Sequence, residues 1–287
     1  MKKLLTLSLL ALVVLLFNAC DAGASGFIAD RQINVVSREA GSGTRGAFTE
    51  LMGILVIGDG TVTDMTSPNA DVGNGTNMVI MSVVNNSYAI GYISLGSLNG
   101  NVRAVSVDGI APTVANILNG SYPIFRPFYI AYQDGVSPAR DDFMNFMLSA
   151  EGQAVVAAGY VPVDSNLPPF NPADVSGTVV VVGSTAVAPV MEALMEAYNE
   201  RNPNVNIEIQ IQGSSAGINA AISGTADIGM SSRALSEAER AQVNYAPIAY
   251  DGLVVIVNNQ NPIENLTSEE VRQIFVGELT RWDEVID

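Results

Sequence analysis

The sequence of 287 residues contains no histidine, and its only lysines are Lys2 and Lys3. Without histidine, the chain can form neither a Ser-His-Asp triad nor a histidine-bound zinc site. Beyond residue 3 it also lacks the lysine that a P-loop or a Schiff base requires. These absences exclude most classes of enzyme, and we expect neither a cofactor nor a metal.

Positive charge is scarce throughout the chain. There are 13 Lys+Arg against 29 Asp+Glu, for a formal net charge of −16. Binding to a nucleic-acid backbone requires clustered basic residues, so this composition argues against a nucleic-acid partner. A hydrophobic content of 48% with 15% charged residues indicates a packed globule rather than a disordered chain. The length suits one large domain or two lobes.

Residues 1–20 have the features of a lipoprotein signal peptide. A basic start is followed by the apolar run 4–17, which is shorter than the roughly 20 residues that a membrane span needs. The run ends in Phe-Asn-Ala-Cys, which resembles a bacterial lipobox, and Cys20 is the only cysteine of the chain. We therefore predict that Cys20 is lipidated and anchors the mature protein to the extracytoplasmic face of a membrane, in the periplasm or at the cell surface.

Short β-rich runs alternate with segments of helical period, which predicts an α/β fold with partly parallel sheets. Three predicted strands run into turns rich in glycine, serine or threonine that open helices, at residues 41–44, 183–185 and 213–217. A helix N-terminus presents unpaired N–H donors and a partial positive charge, so such a turn can hold an anion. Any one of these turns could instead be only a helix cap.

Arg38 precedes the first of these turns. A guanidinium matches two oxygens of a tetrahedral oxyanion, so its place beside a Ser/Gly/Thr helix start indicates an anion site. The alternative is an ordinary ion pair, for which Glu39 is adjacent.

Two segments show neither the periodicity of a helix nor that of a strand. Prolines and small polar residues interrupt the pattern at 162–177, which predicts a linker. The stretch 58–77 is rich in glycine, asparagine and threonine and is predicted to be a long loop.

Eight blocks spread over nearly the whole mature chain together resemble the phosphate-binding proteins of bacterial ABC importers. The blocks are residues 37–45, 89–92, 159–162, 183–189, 213–217, 227–233, 250–252 and 279–282. The resemblance implies a two-lobed periplasmic-binding-protein fold of type 2, with mixed sheets flanked by helices. It also implies a monomer that binds inorganic phosphate and delivers it to an ABC permease in the membrane.

The resemblance also implies the residues that hold phosphate. One side of the cleft would supply Thr185, the N–H of Ala186, Ser214 and Ser232, and the other side would supply Arg38, Ser42, Gly43 and Thr44. Asp227 and Asp251 would brace loops rather than touch the ligand. Some relatives have an aspartate in place of Ser232, which accepts the proton of hydrogen phosphate and repels sulfate, so Ser232 leaves selectivity open.

The blocks occur in an unusual order. In the family the Gly-Ser-Thr half comes first, whereas here the half containing Arg38 opens the mature chain, which predicts a circular permutation. We expect residues 27–104 plus 251–287 to form one lobe and residues 105–250 the other, joined by strands that cross near Ser106 and Asp251. The alternative is an excerpt from a tandem or fused chain.

Several functions remain compatible with the sequence. The ligand could be another oxyanion such as sulfate, molybdate or a phosphate ester, or the protein could be a phosphate sensor. A secreted hydrolase with Ser42 or Ser214 as nucleophile would lack any histidine or lysine base.

Overall fold

The computed structural model describes residues 26–58 and 61–286. The predicted signal peptide and Cys20 lie outside these residues. Among the described residues, no helix is long and apolar enough to cross a membrane.

The strands and helices follow one another in the alternating order that the sequence predicts. The strands are β1 Asn34–Arg38, β2 Leu55–Gly58, β3 Thr61–Asp64, β4 Asp71–Gly73, β5 Ala89–Ser94, β6 Val102–Ala104, β7 Ser106–Val107, β8 Phe125–Tyr132, β9 Gly177–Ser184, β10 Val205–Gln212, β11 Ile228–Ser231, β12 Asn244–Asn258 and β13 Asn265–Leu266. The helices are α1 Gly43–Leu51, α2 Thr76–Val84, α3 Val114–Leu118, α4 Pro138–Met147, α5 Ala150–Val156, α6 Ala188–Asn199, α7 Ser214–Ser223, α8 Glu237–Arg240 and α9 Ser268–Val276. Short 3-10 helices lie at Leu95–Ser97 and Trp282–Glu284.

A mixed sheet connects most of these strands in the order β10-β9-β11-β8-β12-β5-β1-β4, with β6 also paired to β12. The pairs β10/β9, β9/β11, β5/β1 and β1/β4 are parallel, and the three pairs between them are antiparallel. The predicted α/β fold with mixed sheets is therefore confirmed. Because the carboxyl ends of β1 and β9 run into the glycine-rich turns, the topology brings the predicted anion loops toward one cleft.

The described residues form four clusters of buried apolar side chains, and the two larger clusters are the first and second cores. The first core contains the stacked rings of Phe48 and Tyr92, 3.9 Å apart, together with Phe275 and Trp282. The second core includes Phe146 and its aromatic neighbours. Strand β12 serves both, since its residues 244–252 pair with β8 and its residues 253–257 pair with β5.

Beyond residue 104 the chain continues beside the first core. Val105, Val107 and Ile124 are buried in the first core, and β7 pairs in parallel with β13. A two-residue strand held by β13 keeps the chain in the first core, so the crossing to the second core takes place in β8, near Phe125. Strand β12 leaves its pairing with β8 at Gly252, next to Asp251.

The sequence predicts one long loop at 58–77, but the structure contains strands there. Strands β2 and β3 form an antiparallel hairpin, and β4 pairs in parallel with β1 at the edge of the large sheet. Strands β3 and β4 are short and mostly exposed, so they lack the buried apolar alternation by which strands are recognised.

The segment 162–177 lies along the helices of the second core. The N–H of Ala150 donates to the carbonyl of Pro168 at 2.9 Å, and the N–H of Ala173 donates to Asp142 Oδ1 at 3.0 Å. The ring of Phe170 packs against that of Phe146, with 5.2 Å between centroids. Four prolines therefore belong to a docked connection between α5 and β9.

The first and last described segments pair with each other. The N–H of Ile33 donates to the carbonyl of Thr280 at 2.8 Å, and the N–H of Trp282 donates to the carbonyl of Arg31 at 3.1 Å. The Trp282 ring is fully buried beside Phe27, and its Nε1–H donates to the carbonyl of Tyr88 at 3.1 Å. The indole thus attaches both segments to the first core.

We expect Trp282→Ala to lower the free energy of unfolding by about 3–5 kcal/mol, because it leaves a large cavity between both segments and the first core. Urea denaturation followed by circular dichroism measures this loss. Leu118→Ala is the control: that side chain is 63% exposed and its truncation should change stability by less than about 0.5 kcal/mol. A loss below about 1 kcal/mol for Trp282→Ala would contradict the docking.

Candidate anion-binding site

The first predicted anion loop starts where β1 ends. Ser42 is the N-cap of α1, and its hydroxyl accepts a hydrogen bond from the N–H of Arg45 at 3.3 Å. Helix α1 begins at Gly43, so the N–H groups of its first turn point out of the helix end with the positive end of the helix dipole. Ser42 and Thr44 are both buried.

Arg38 lies at the end of β1, with only 1% of its surface exposed. Its Nε and one terminal nitrogen each donate to a carboxylate oxygen of Glu39 at 2.7 Å. That same terminal nitrogen donates to Thr185 Oγ1 at 3.0 Å, across the cleft. The other terminal nitrogen contacts the hydroxyl of Thr76 at 3.4 Å. Arg38 therefore both pairs with Glu39 and reaches across the cleft, although the sequence left these two roles as alternatives.

The Glu39 carboxylate is suited to keep this pair charged. Burial acts to raise the pKa of Glu39, but hydrogen bonds from Arg38 and from the N–H of Gly75 outweigh burial and hold the pKa below its ordinary value. Arg38 is therefore partly neutralised while it reaches across the cleft.

On the opposite side of the cleft, three serine hydroxyls form a buried chain. Ser184 Oγ donates to Ser232 Oγ at 2.8 Å, and the N–H of Ser232 donates to Ser214 Oγ at 3.0 Å. Ser214 Oγ and Ser232 Oγ lie 3.3 Å apart. The hydroxyl of Ser214 lies at the start of α7, so a second helix N-terminus faces the first.

The turn after β9 differs from the prediction in one respect. Helix α6 begins only at Ala188, so Thr185 and Ala186 lie in a turn before the helix. The N–H of Ala186 donates to Ser184 Oγ at 3.3 Å, and Thr185 Oγ1 lies 3.2 Å from Thr76 Oγ1.

The two sides of the cleft are in direct contact at Gly43. A Cβ atom at this position would lie 2.3 Å from Ser214 Oγ, 2.7 Å from Ser232 Oγ and 3.0 Å from the backbone nitrogen of Arg233. Nearby, the N–H of Ser215 donates to the carbonyl of Gly41 at 3.2 Å. Only glycine permits this approach. Gly43 therefore meets Ser214 and Ser232 from the opposite side of the cleft.

Sequence reasoning missed Thr76, Ser184 and Arg126. Arg126 lies on β8, and one of its terminal nitrogens donates to Thr44 Oγ1 at 3.1 Å and to Asp251 Oδ2 at 3.4 Å. Ser184 lies in the matching block 183–189, where its hydroxyl next to Thr185 is a local signal. Arg126, in Phe-Arg-Pro-Phe, carries no local signal of an anion site.

Asp251 and Asp227 both brace backbone, as the resemblance implies. Asp251 Oδ1 accepts from Ser94 Oγ at 2.7 Å and from the N–H of Gly96 at 3.4 Å. Asp227 accepts from the N–H of Val180 at 2.7 Å. Complete burial raises the pKa of Asp251 to about 6, although Arg126 attracts its charged form.

The pKa of Asp251 predicts how stability varies with pH. The folded protein keeps this proton up to about pH 6, whereas an unfolded chain releases it near pH 4. The contribution of Asp251 to the free energy of unfolding therefore falls as pH rises from about 4 to about 6. Asparagine does not titrate, so the free energy of unfolding of Asp251→Asn minus that of the unaltered protein should rise by roughly 2–3 kcal/mol across this window, whatever its sign at pH 4. Urea denaturation at several pH values measures it, and a difference independent of pH would contradict the assignment.

The outer part of the cleft is an open pocket between the two sides. Glu39, Gly41 and Gly75 line it from the first-core side, and Thr185 and Gly213 from the second-core side. Among the residues that the structure describes, no group of three or more Cys, Asp or Glu side chains could hold a metal ion.

Comparisons with known proteins agree with this architecture. A family model described as a PBP superfamily domain matches residues 21–151 and 169–287. The phosphate-binding protein PstS 2 of Streptococcus agalactiae is 44% identical over 292 residues, which cover 99% of each chain. PstS 2 of Streptococcus pneumoniae is 42% identical over 287 residues, again with 99% of each chain covered.

A solved structure of the phosphate-binding protein of a phosphate ABC transporter from Streptococcus pneumoniae also matches. It has 42% sequence identity and a TM-score of 0.71, and the match covers 89% of this chain and 100% of that chain. The predicted resemblance and the periplasmic-binding-protein fold are thereby confirmed. This chain belongs to the PBP superfamily and, within it, to the PstS family of phosphate-binding proteins.

Proposed function

We propose that this chain is an extracytoplasmic solute-binding protein that captures inorganic phosphate for an ABC importer and catalyses no reaction. The observation that carries the proposal is the meeting of two helix N-termini, a buried arginine and three serine hydroxyls in one closed cleft. These donors approach from both sides, which suits an anion with four oxygens.

The donors are sufficient for useful affinity. Micromolar binding corresponds to about −8.2 kcal/mol, and each hydrogen bond to a charged group contributes about 1.5–3 kcal/mol. Several such bonds from Arg38, Ser214, Ser232 and the first turn of α1 would supply this after the cost of desolvation. The net negative charge of the protein acts over longer distances and is screened by salt.

The printed names of the relatives favour phosphate over other oxyanions. The Streptococcus agalactiae protein is named a phosphate-binding protein, and the solved structure is described as part of a phosphate ABC transporter. We therefore propose phosphate as ligand and an ABC permease as membrane partner, with Cys20 as lipid anchor. A mass spectrum of the purified membrane form would reveal the lipid.

A hydrolase is poorly supported. Ser214 Oγ has Ser232 as its hydrogen-bonded neighbour, and Ser42 Oγ caps α1. Neither contact offers a base that could remove the hydroxyl proton, and the sequence has no histidine.

We further propose that residues 26–124 with 251–286, and residues 125–250, are the two lobes, and that they close on the anion. Bonds that cross the cleft support closure: Arg38 donates to Thr185, and Ser215 donates to Gly41. Such closure around a ligand is the usual hinge motion of binding proteins.

The experiment that tests the proposed function is calorimetric titration with phosphate, with sulfate and molybdate as competitors. Gly43→Ala should weaken phosphate binding at least about 100-fold, because its Cβ would collide with Ser214, Ser232 and the Arg233 backbone. Gly46→Ala, one turn further on the same helix, is the matched control. Its Cβ would make only an ordinary 3.6 Å contact with Arg233, so affinity should stay within about 3-fold.

Two results would count against the proposal. If titration with phosphate, sulfate and molybdate produced no binding heat, the proposal that the protein binds an oxyanion would be wrong. If Gly43→Ala and Gly46→Ala bound phosphate with equal affinity, the cleft at Gly43 would not be the binding site.

We also propose that the block order reflects a circular permutation. The antiparallel bridge between Gln32 and Arg281 supports it, because the first and last described segments lie side by side. The Streptococcus agalactiae relative aligns over 99% of both chains, so it has the same order of blocks.

A reconnected chain tests this proposal. Joining residue 286 to residue 30 and opening the chain at the exposed Ser165 should give a folded monomer that binds phosphate within about 5-fold of the unaltered protein. Opening the joined chain at Val255, in the buried centre of β12, is the control and should prevent folding. Aggregation of the Ser165-opened chain beside a monomeric unaltered protein would contradict the permutation.

A further inference from the structure

Arg126 is the least satisfied charged side chain of the described residues. It is 3% exposed, and its Nε and one terminal nitrogen have no hydrogen-bond partner there. Only the other terminal nitrogen is bonded, to Thr44 Oγ1 and Asp251 Oδ2. A guanidinium has five N–H donors, so most of its capacity is unused.

Asp251 does not compensate for this burial. Its nearest oxygen lies 3.4 Å from Arg126, and its other oxygen is occupied by Ser94 and Gly96. Burial lowers the pKa of Arg126 to about 10, with Asp251 opposing that shift, and raises the pKa of Asp251 to about 6. Both shifts mean that desolvation exceeds the attraction within the pair. The Phe128 ring covers the guanidinium at 5.4 Å but accepts no conventional hydrogen bond.

The position of Arg126 connects it to the first anion loop. Its bond to Thr44 places it at the first turn of α1, the helix end that Ser42 and Gly43 begin. Arg38 reaches the same cleft from β1 and is close enough for its charge to lower the pKa of Arg126. Two buried guanidiniums of like charge therefore reach one cleft, Arg126 at the first turn of α1 and Arg38 at Thr185, and an anion bound there would offset their repulsion.

The two arginines differ in what they can still donate. Glu39 accepts from two nitrogens of Arg38 and neutralises much of its charge. Arg126 has no comparable bidentate partner and keeps two N–H-bearing nitrogens free among the described residues.

We propose that Arg126 is a second arginine of the anion site, whose unpartnered N–H groups donate to an oxygen of the bound tetrahedral oxyanion. The inference rests on the proposed function, because it assumes that an oxyanion enters this cleft. Asp251 and Thr44 both accept from the same terminal nitrogen of Arg126, which leaves Nε and the other terminal nitrogen available for the anion.

Phosphate calorimetry on variants tests the proposal. Arg126→Met should weaken phosphate binding roughly 10- to 100-fold, the loss expected for one or two hydrogen bonds to a charged group. Because this variant leaves the Asp251 carboxyl buried without its partner, the decisive variant is Arg126→Met with Asp251→Asn, which removes both charges. It should show the same loss.

Arg140→Met is the matched control. Arg140 is also buried, at 2% exposure, but it bonds to Asp141 and to the carbonyl of Gln133 in the second core. Phosphate affinity of the folded variant should change less than about 2-fold. Circular dichroism establishes that each variant is folded before titration.

The outcomes distinguish a failure of the role of Arg126 from a failure of the proposed function. A folded double variant that binds phosphate within about 3-fold of the unaltered protein overturns the role of Arg126 and leaves the proposed function intact. An unaltered protein that binds neither phosphate, sulfate nor molybdate overturns the proposed function itself. Should the variants fail to fold, a crystal structure of the unaltered protein with phosphate decides: Nε or a terminal nitrogen of Arg126 within about 3.2 Å of a phosphate oxygen supports the proposal, and a separation above about 4 Å overturns it.

Discussion

The burial of guanidinium charge in the cleft is the constraint on which the arrangement of this protein depends. Arg38 is held by Glu39 and Thr185, and Arg126 is held incompletely by Asp251 and Thr44. Charges removed from water are costly unless hydrogen bonds and opposite charges surround them. The contacts that surround these arginines come from β1, α1, β8, β12 and the turn after β9, so satisfying them requires both cores to meet at one place.

Strand β12 makes this meeting possible. Its 15 residues pair first with β8 beside the second core and then with β5 beside the first. Asp251 lies where the pairing changes, and it bonds to Ser94 on β5 and to Arg126 on β8. A single carboxylate therefore ties the connecting strand to its neighbours on both sides.

Much of the fold and of the site was predictable from local patterns, and the failures have physical causes. The start of α1 after Ser42 and the capping box that opens α9 at Thr267 follow from residues within four positions of each other. The pairing of Ser106 with Asn265 in β13 was not predictable, because these residues are distant in the chain. Arg126 was missed because its partners Thr44 and Asp251 are 82 and 125 residues away in the chain.

The sequence by itself determined the class of fold, the helix starts that can hold an anion, the absence of histidine and lysine chemistry, and the family. These features depend on composition, on periodicity and on short motifs, all of which can be recognised within a few residues. Only the tertiary structure decided which hydroxyls share hydrogen bonds, where the chain crosses between the cores, and that Gly43 touches Ser214 and Ser232. It alone brought Arg126 to the cleft, because burial and pairing of a charge depend on residues that are distant in sequence and meet only after folding.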